Sequence, residues 1–522
     1  MRAIRLDLLG FLGLFLLVAP MAFSESPVAV ASPAVRSAIV DSTAIAQLVA
    51  RYHAEDRFSG SVLVAAGDEV IYEGGFGEAD RAWHIPNRPD TVFLVGSVSK
   101  QFTSMLIMQL VAEGKLRVED TLAKHLPSYP ADKAGITIHQ LLSHSSGLPH
   151  YGGFDAIGID LDDYLRLDRP VSDYVETIGR LELQSEPGSE YSYSSMGYII
   201  LAYIAEQVSG KSYGALIRER IARPIGVDDL GFAYNHEPVE RLAHGYEFQI
   251  RRLDDGRLDL RYEPEPYRDQ SNKYSTGGVH ASVRALFKWA RAVVGSELLD
   301  PGLRDRMFTP HAGTYGYGWR IDSGEALGLP EIELIAHGGS LAGYRASIVL
   351  VDRGRYTLVA LGNSDSSRSG ALTAAIGRLL FGLEQPPANI LGTSVAWRMV
   401  RDGVDVGRQW FERHKEAGFP GYLNNDFAFY AYAERFWELE RPDLGLALTE
   451  LGQQAHPESP MLHLAAAESH RVAGNPKAAL AAAEAALQGI ADGVETPGFV
   501  AEDAQRLIDE LQVELAPAAA AP

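Results

Sequence analysis

The residues of this chain best suited to chemistry are a serine and a lysine three positions apart, Ser97 and Lys100. They lie where a long apolar helix is expected to begin, and residues three apart share one face of a helix. A serine hydroxyl becomes a nucleophile when a neighbouring base takes its proton. A lysine in a dry pocket can lose its charge and act as that base. The pair therefore predicts a nucleophilic serine, with a serine that merely caps the helix as the alternative.

The helix that carries this pair is predicted to run from Ser97 to about Glu113 and to end at Gly114. Its middle, Met105–Met108, is apolar on every side, which is typical of a buried helix. The backbone N–H groups at its N-terminus would point at whatever lies beside Ser97, and such donors suit a developing oxyanion.

Two further segments carry polar groups suited to the same chemistry. Tyr193 lies on a loop that leads into a helix, and a tyrosine hydroxyl beside an ammonium can have a lowered pKa and shuttle protons. Elsewhere a strand ends in His337, Gly338, Gly339 and Ser340, where the glycines let the backbone approach a ligand and His337 can donate to an anionic or carbonyl group. The alternatives are a buried tyrosine with a satisfied hydroxyl and a plain glycine-rich turn.

Composition limits the class of protein. A chain of 522 residues predicts two or three domains, and its formal net charge of -21 argues against nucleic acid and anionic membrane surfaces as partners. The sequence has no cysteine, which excludes thiol nucleophiles, thiolate metal sites and disulfides. His139, His144 and His150 lack metal-ligand spacing, so we expect no metal site there and no cofactor.

The N-terminus predicts export. Residues 1–24 have the pattern of a signal peptide, with Arg2 and Arg5 before the apolar stretch Leu8–Val18 and a cleavage site after Ser24. The apolar stretch is short for a membrane-spanning helix, so no span is expected after cleavage, and an uncleaved signal anchor is the alternative. The mature protein would be periplasmic or secreted, beginning with a leader over residues 25–45.

The distribution of strands predicts an α+β fold for residues 46–384. Strands are expected at Ser61–Ala65 and Glu69–Glu73, and again at Leu334–Ala336, Ser347–Val351 and Tyr356–Gly362, with helices and loops between the two groups. One antiparallel sheet flanked by helices would then take its first and last strands from opposite ends of this region.

Residues 385–389 have the composition of a linker. The sequence after them predicts an all-α region over residues 393–515. Pro442 and Pro476 lie 34 residues apart, which is the spacing of tetratricopeptide helix pairs. Coincidence in an alanine-rich region is the alternative. A repeat of this kind would offer a surface for a protein partner, and residues 516–522 would form a disordered tail.

Taken together, these segments resemble the serine β-lactamase and penicillin-binding-protein superfamily. The branch is that of class C β-lactamases, D-stereospecific peptidases such as D-aminopeptidases, and family VIII esterases. The resemblance runs from about residue 45 to residue 383 with the motifs in the family's order. Residues 138–149 are otherwise predicted as a loop, and the segment Leu-Leu-Ser-His-Ser-Ser-Gly-Leu-Pro within them, residues 141–149, is also typical of this branch.

The resemblance implies a role for each matched residue. Ser97 matches the nucleophile and Lys100 the base, and Tyr193 matches the tyrosine of the Y-x-N motif. His337-Gly338-Gly339 matches the strand motif written K-T-G or H-x-G. The backbone N–H groups of Ser97 and Ser340 would form the oxyanion hole.

Two positions depart from the family's pattern. Ser195 stands where the family usually has asparagine, and His337 stands where β-lactamases usually have lysine. The resemblance still implies that both residues line the substrate-binding site, together with Gly338, Gly339 and Ser340. The usual residues help to hold the amide and the carboxylate of a β-lactam, so their absence favours ester or peptide substrates. Deacylation would fall to Tyr193 and Lys100.

We therefore expect an exported serine hydrolase that acts through an acyl-enzyme on small-molecule or peptide substrates, as an esterase or a D-peptide-like amidase. A β-lactamase or DD-peptidase is the enzymatic alternative. A penicillin-recognising binding or sensor protein on the same scaffold is the non-enzymatic one. An α/β-hydrolase does not fit, because its nearest nucleophile elbow, Gly338–Ala342, lacks the final glycine.

Overall fold

The structure is a computed structural model, and it describes residues 41–385, 389–419 and 422–516. The predicted signal peptide, residues 25–40 of the leader and residues 517–522 of the tail lie outside the described residues. The described chain forms two compact units. The first comprises residues 41–247 and 263–385, and the second comprises residues 248–262, 389–419 and 422–516.

The first unit alternates short strands and helices before a run of longer strands. Its strands, together with a hairpin that reaches into the second unit, are β1 Gly60–Ala66, β2 Glu69–Phe76, β3 Glu78–Asp80, β4 Ile85–Pro86, β5 Phe93–Leu94, β6 Leu230–Phe232, β7 Tyr246–Arg252, β8 Leu258–Pro264, β9 Val279–Ala281, β10 Arg320–Gly324, β11 Leu329–Leu341, β12 Tyr344–Val351 and β13 Tyr356–Gly362. Its helices are α1 Ser42–Ala54, α2 Ser99–Ala112, α3 Leu122–His125, α4 Ile138–Leu142, α5 Leu161–Leu165, α6 Val171–Gly179, α7 Ser195–Ser209, α8 Tyr213–Ile217, α9 Gln270–Gly277, α10 Val283–Val294, α11 Pro301–Met307 and α12 Ser369–Leu380. Short 3₁₀ turns lie at Gly96–Val98, Asp155–Ile157 and Glu325–Leu327, and a π-helical turn at Arg218–Ala222.

The main sheet joins the two ends of the first unit. Its strand order is β10-β11-β12-β13-β1-β2, and neighbouring strands are antiparallel. β1 pairs with β13, with Val62 opposite Ala360. All of β13 and all but the last residue of β1 are buried, so both faces of these central strands are covered. The predicted α+β fold is confirmed, including the meeting of strands from opposite ends.

The apolar helix predicted from Ser97 begins slightly later. Ser97 lies in the 3₁₀ turn Gly96–Val98, and α2 begins at Ser99. The turn starts at Gly96, whose φ of 55° lies in the left-handed region that favours glycine. Met105–Met108 of α2 are buried, as predicted. The helix ends at Ala112, and Gly114 just after it has a φ of 70°.

The segment predicted as a loop before Pro149 begins instead as the short helix α4. The Thr137 side chain accepts from the Gln140 backbone while the Gln140 side chain accepts from the Thr137 backbone, which completes a capping box. Ile138, Leu141 and Leu142 are buried, so the one-turn helix is held by packing as well as by its cap. The rest of the motif, from Ser143 onward, is irregular.

The second unit is built almost entirely from helices. They are α13 Leu391–Asp402, α14 Val404–Glu416, α15 Asp426–Glu438, α16 Pro442–Ala455, α17 Pro460–Val472, α18 Pro476–Ala491 and α19 Gly498–Leu515, with the short strands β14 Asn389–Ile390 and β15 Tyr422–Leu423. α15 and α17 begin 34 residues apart, and so do α16 and α18. A tetratricopeptide-like repeat stays a prediction. Within the ranges that the structure describes, no helix is both long and apolar enough to cross a membrane.

The hairpin β7–β8 was not separated from the first unit by the sequence analysis, yet residues 248–262 belong to the second. Ile250 is buried in the core of the second unit, and the Phe248 ring lies 4.8 Å from the Trp397 ring, centroid to centroid. The Ile250 carbonyl accepts a hydrogen bond of 3.0 Å from Arg435, and Arg252 forms an ion pair with Glu440. The helical unit is therefore completed by a segment from the middle of the chain.

We expect Ile250→Ala to lower the free energy of unfolding of the helical unit by about 2–4 kcal/mol, since it removes buried methyl groups from a packed core. Asp254→Ala, at an exposed position in the turn of the same hairpin, is the control and should stay within about 0.5 kcal/mol. Chemical denaturation followed by tryptophan fluorescence measures both, because Trp397 and Trp410 lie in the same core. Equal effects of the two substitutions would show that the hairpin is not part of this core.

Candidate active site

Ser97 sits where two backbone segments approach each other closely. A Cβ added to Gly96 would lie 2.9 Å from the Ser340 nitrogen, and one added to Gly339 would lie 2.0 Å from the Val95 oxygen. Only glycine fits at these two positions, so β11 runs directly beside the turn that carries Ser97. The Ser340 nitrogen thus lies close to Gly96, the residue that precedes Ser97, and an oxyanion hole formed by the backbone N–H groups of Ser97 and Ser340 stays a prediction.

Lys100 is the buried cation of this site. Its side chain is fully buried, and its Nζ lies 3.2 Å from Ser97 Oγ and 3.2 Å from Ser195 Oγ. Among the described residues, no carboxylate forms an ion pair with it. Burial lowers the pKa of Lys100 to about 7, because the charged ammonium loses its hydration without gaining a counter-ion. A lysine with this pKa is a competent proton acceptor near neutral pH.

The Ser97 hydroxyl is not used as a helix cap. The N-cap position of α2 is Val98, and no side-chain hydrogen bond caps that helix. Ser97 is only half-buried, unlike the lysine below it, so its hydroxyl can meet a substrate from solvent. The capping alternative to a nucleophilic serine is therefore not what the structure shows.

Tyr193 contacts both members of the pair. Its hydroxyl is close enough to Ser97 for that side chain to lower the pKa of Tyr193, and Lys100 Nζ lies 4.9 Å from the centre of its ring. Burial raises the pKa of Tyr193 well above its ordinary value and outweighs the effect of Ser97, which acts in the opposite direction. The prediction of a lowered tyrosine pKa was wrong, because burial disfavours the charged phenolate more than the neighbouring Ser97 favours it. Tyr193 is a neutral hydroxyl that can relay a proton.

Ser195 lies against the lysine. It is the first residue of α7, with only 2% of its surface exposed, and Ser194 caps the helix by accepting from the Gly197 nitrogen. Ser195 was predicted to hold substrate, and the structure shows its hydroxyl bonded to Lys100 Nζ. A serine here reaches the ammonium but carries no amide group for a substrate carbonyl.

His337 has both ring nitrogens in use. Nδ1 lies 2.6 Å from the Gly338 carbonyl, which can only accept, so Nδ1 carries the proton. Nε2 then accepts from the Tyr315 hydroxyl at 2.9 Å. Burial is the main cause that lowers the pKa of His337, and the charge of Lys100 is the second. The hydrogen bond to the Gly338 carbonyl acts in the opposite direction, and the pKa of His337 falls to about 3. His337 is therefore neutral with no N–H left for a substrate, which corrects the predicted donation to an anion or carbonyl.

Three aromatic residues that sequence reasoning did not place pack around Tyr193. His144 packs its ring 4.2 Å from that of Tyr193 and 4.5 Å from that of Tyr315, centroid to centroid, and the ring of His150 lies 5.3 Å from that of Tyr193. The motif at residues 141–149 was a signal for His144. Nothing in the local sequence pointed to Tyr315, which comes from the turn before β10.

The described part of the chain holds no cluster of three or more histidine, aspartate or glutamate side chains placed to bind a metal ion. The polar groups gathered at Ser97 are hydroxyls, one amine and neutral imidazoles. This set suits proton transfer to and from a serine nucleophile.

The chain is similar in sequence to known proteins. Residues 45–381 match the family model described as Beta-lactamase. Penicillin-binding protein 4* of Bacillus subtilis (strain 168) is 29% identical over 342 residues, which is 62% of this chain and 73% of that protein. Matches to curated relatives span between 59% and 73% of those proteins' own lengths.

Solved structures share the fold. EstCE1, a hydrolase with promiscuous acyltransferase activity, has 23% sequence identity and a TM-score of 0.54, over 66% of this chain and all 100% of that one. The D-amino acid amidase of Ochrobactrum anthropi SV3, complexed with D-phenylalanine, has 23% identity and a TM-score of 0.54, over 65% and 97%. At these identities the likeness establishes a common fold.

We expect Lys100→Met to raise the unfolding temperature near pH 7. The lysine pKa is about 7 in the folded protein but roughly 10.4 in an unfolded chain, so the unfolded state binds more protons between those values. Wild-type stability then rises with pH across this window and is lower at its acid end, whereas methionine does not titrate. The advantage of the variant should shrink as the pH rises from about 7 to about 10.

Thermal unfolding at several pH values tests this expectation, with the exposed Lys115→Met as the control. An unfolding-temperature difference for Lys100→Met that is independent of pH would contradict the lowered pKa.

Proposed function

We propose, since the chain belongs to the beta-lactamase family, whose members are serine hydrolases, that it is an exported hydrolase acting through an acyl-enzyme on Ser97. The observation that carries the proposal is the distance of 3.2 Å between Lys100 Nζ and Ser97 Oγ in a pocket that lowers the lysine pKa to about 7. A neutral amine at hydrogen-bond distance from a half-exposed hydroxyl is the arrangement that activates a serine.

The acylation step follows from these contacts. Lys100 takes the proton from Ser97 Oγ as the oxygen attacks the substrate carbonyl carbon, and the carbonyl electron pair moves onto its oxygen. The N–H groups of Ser97 and Ser340 stabilise that charge. When the carbonyl re-forms, the leaving group departs with a proton from the Tyr193 hydroxyl, which regains one from Lys100. The product is an ester between the acyl group and Ser97.

Deacylation reverses the same proton path. Water gives a proton to Lys100 through Tyr193 and attacks the acyl carbon, and Ser97 Oγ leaves as the new carbonyl forms. Lys100 then returns this proton to Ser97 Oγ, and the acid is released. Tyr193 therefore serves as a relay in both halves, and a relay of this kind is worth about 10²- to 10⁴-fold in rate.

The substrates we propose are esters and amides, including D-peptide-like amides. His337 is neutral with both nitrogens engaged, so the strand offers no ammonium to a β-lactam carboxylate. Ser195 is bonded to the lysine and has no side-chain amide. The contacts of His337 and Ser195 therefore support substrates that bind through their carbonyl and acyl groups and do not need a carboxylate.

A second candidate is a penicillin-recognising protein, either a β-lactamase or DD-peptidase or a sensor that acylates and stalls. It is favoured by the 29% identity to a protein named as a penicillin-binding protein. The two candidates differ in deacylation, because a sensor keeps its acyl group whereas a hydrolase turns over.

The ends of the chain receive proposed roles as well. Residues 1–24 act as a signal peptide, so the mature protein is periplasmic or secreted. The helices of the second unit, with α15 and α17 beginning 34 residues apart, form a tetratricopeptide-like surface for a protein partner.

We expect Ser97→Ala to abolish covalent labelling by a fluorophosphonate, as read by intact-protein mass spectrometry. Ser340→Ala is the matched control, since it removes a hydroxyl beside the same site and leaves the backbone N–H in place. Labelling should persist in that control. Adducts that remain in Ser97→Ala, or that map to Ser340, would refute the assignment.

We further expect p-nitrophenyl acetate to be hydrolysed with a higher kcat/KM than nitrocefin at neutral pH. A neutral imidazole attracts a carboxylate less than a fixed ammonium does. Steady-state kinetics on the two chromogenic substrates measure the ratio. Nitrocefin turnover equal to or above ester turnover would favour the β-lactamase, and a stoichiometric penicillin adduct without turnover would favour the sensor.

A further inference from the structure

The buried His144 and the half-buried His150 hold consecutive backbone groups at the start of α7. His144 Nδ1 accepts a hydrogen bond of 3.1 Å from the Ser194 nitrogen, and His150 Nδ1 accepts one of 3.1 Å from the Ser195 nitrogen. Both histidines come from the same stretch of chain that follows α4. Neither takes part in the proton path between Ser97, Lys100 and Tyr193.

The direction of these bonds fixes the state of each ring. A backbone amide can only donate, so each Nδ1 is unprotonated and each imidazole is neutral with its hydrogen on Nε2. Burial is the main cause that keeps both imidazoles neutral, and the charge of Lys100 is the second. The pKa of His150 is lowered to about 3, and that of His144 is lowered well below its ordinary range. Both acceptors therefore persist at neutral pH.

The amides they hold have no partner inside the helix. The first N–H groups of an α-helix lack an intrahelical acceptor and are usually met by water or by a capping side chain. Here Ser194 is the N-cap and Ser195 the first residue of α7. Their amides are met by two imidazoles in a buried setting, so the path of the chain from Tyr193 to Ser195 is fixed at both residues.

Further bonds tie the same two segments together. The Ser192 nitrogen donates to the His144 carbonyl at 2.8 Å, and Ser194 Oγ donates to the Pro149 carbonyl at 2.7 Å. His144 itself has a φ of 57°, in the left-handed region that non-glycine residues seldom adopt. The segment thus keeps an uncommon backbone conformation at the residue whose ring packs on Tyr193.

We propose that His144 and His150 form a histidine clamp that positions Tyr193 and Ser195 on Lys100. They are positioning residues, since they act through the backbone of Ser194 and Ser195. The expected effect on the labelling rate rests on the proposed acyl-enzyme function. The expected effect on the backbone rests on the hydrogen bonds alone.

The clamp has a consequence for the pH profile. If the segment loosens, water reaches Lys100, its pKa moves back toward the ordinary value, and the acid limb of the reaction shifts to higher pH. The titratable groups around His144 and the lysine that enter this balance are Lys100, His144, His150, His337, Tyr191, Tyr193, Tyr198 and Tyr315.

The kinetic test compares three variants of the full chain. His144→Leu should lower the second-order rate constant for fluorophosphonate labelling of Ser97 by about 10²-fold, the usual effect of a misplaced catalytic group. It should also move the acid limb up by about one pH unit or more. His144→Asn should recover at least about tenfold of the loss, because asparagine tolerates the left-handed region and its Oδ1 can accept from Ser194.

His139→Leu is the matched control. His139 lies on α4, just before the segment that carries the clamp, and its Nδ1 bonds to the Tyr317 hydroxyl outside the site. Its labelling rate should stay within about threefold of wild type and its acid limb unchanged, since it holds no part of the clamp. A folded His144→Leu with wild-type rate and limb, or an Asn variant no better than Leu, would overturn the proposal.

Amide hydrogen exchange provides a test that is independent of catalysis. The Ser194 and Ser195 amides should exchange at least about tenfold faster in His144→Leu or His150→Leu, while the interior of α7 keeps its protection. Unchanged exchange at both amides would overturn the clamp even if labelling falls. If wild-type protein is not labelled at Ser97, the proposed function fails, and exchange alone decides the clamp. Should His144→Leu fail to fold, His150→Leu carries the same measurements, with His150→Asn as the variant expected to recover the loss.

Discussion

The site depends on burying one ammonium group without a counter-charge. Lys100 is fully enclosed, and its hydrogen-bond partners are the hydroxyls of Ser97 and Ser195. Taking a charge out of water in this way costs free energy, and the lysine responds by binding its proton less tightly. A carboxylate beside it would stabilise the fold and at the same time keep the lysine charged. The chain gives up that stability, and in return the amine can accept a proton near neutral pH.

The surroundings of the lysine are consistent with this constraint. Three imidazoles near it are held neutral, and the charge of Lys100 is one cause of the lowered pKa in each of them. Tyr193 is kept protonated by burial. The backbone contributes as well, because Gly96 and Gly339 let β11 closely approach the turn that carries Ser97, whose N–H group is predicted to form the oxyanion hole with that of Ser340. Neutral side chains and oriented amides are what a site needs where negative charge develops only during reaction.

The sequence was sufficient for features set by local spacing. Ser97 and Lys100 lie three residues apart, and the sheet pairs strands from the two ends of its region as their distribution predicted. The state of individual groups was not predictable in the same way. His337 was expected to donate to a substrate, yet the Tyr315 hydroxyl, 22 residues earlier in the chain, occupies its second nitrogen. The tyrosine pKa was expected to fall, but its direction depends on burial, which spacing does not reveal. The hairpin at residues 248–262 was assigned with its sequence neighbours because the Trp397 and Arg435 that it contacts lie far along the chain.

The central claim is that Lys100 is the proton acceptor for Ser97, and the rate of covalent labelling as a function of pH tests it most directly. The second-order rate constant for fluorophosphonate labelling should rise with pH and level off with a midpoint near the lysine pKa of about 7. In Lys100→Met the residual rate should be lower by about 10²- to 10⁴-fold and should lose that midpoint. A wild-type rate that keeps rising to about pH 10, the range of an ordinary lysine, would contradict the account. So would a midpoint near 7 that survives in Lys100→Met.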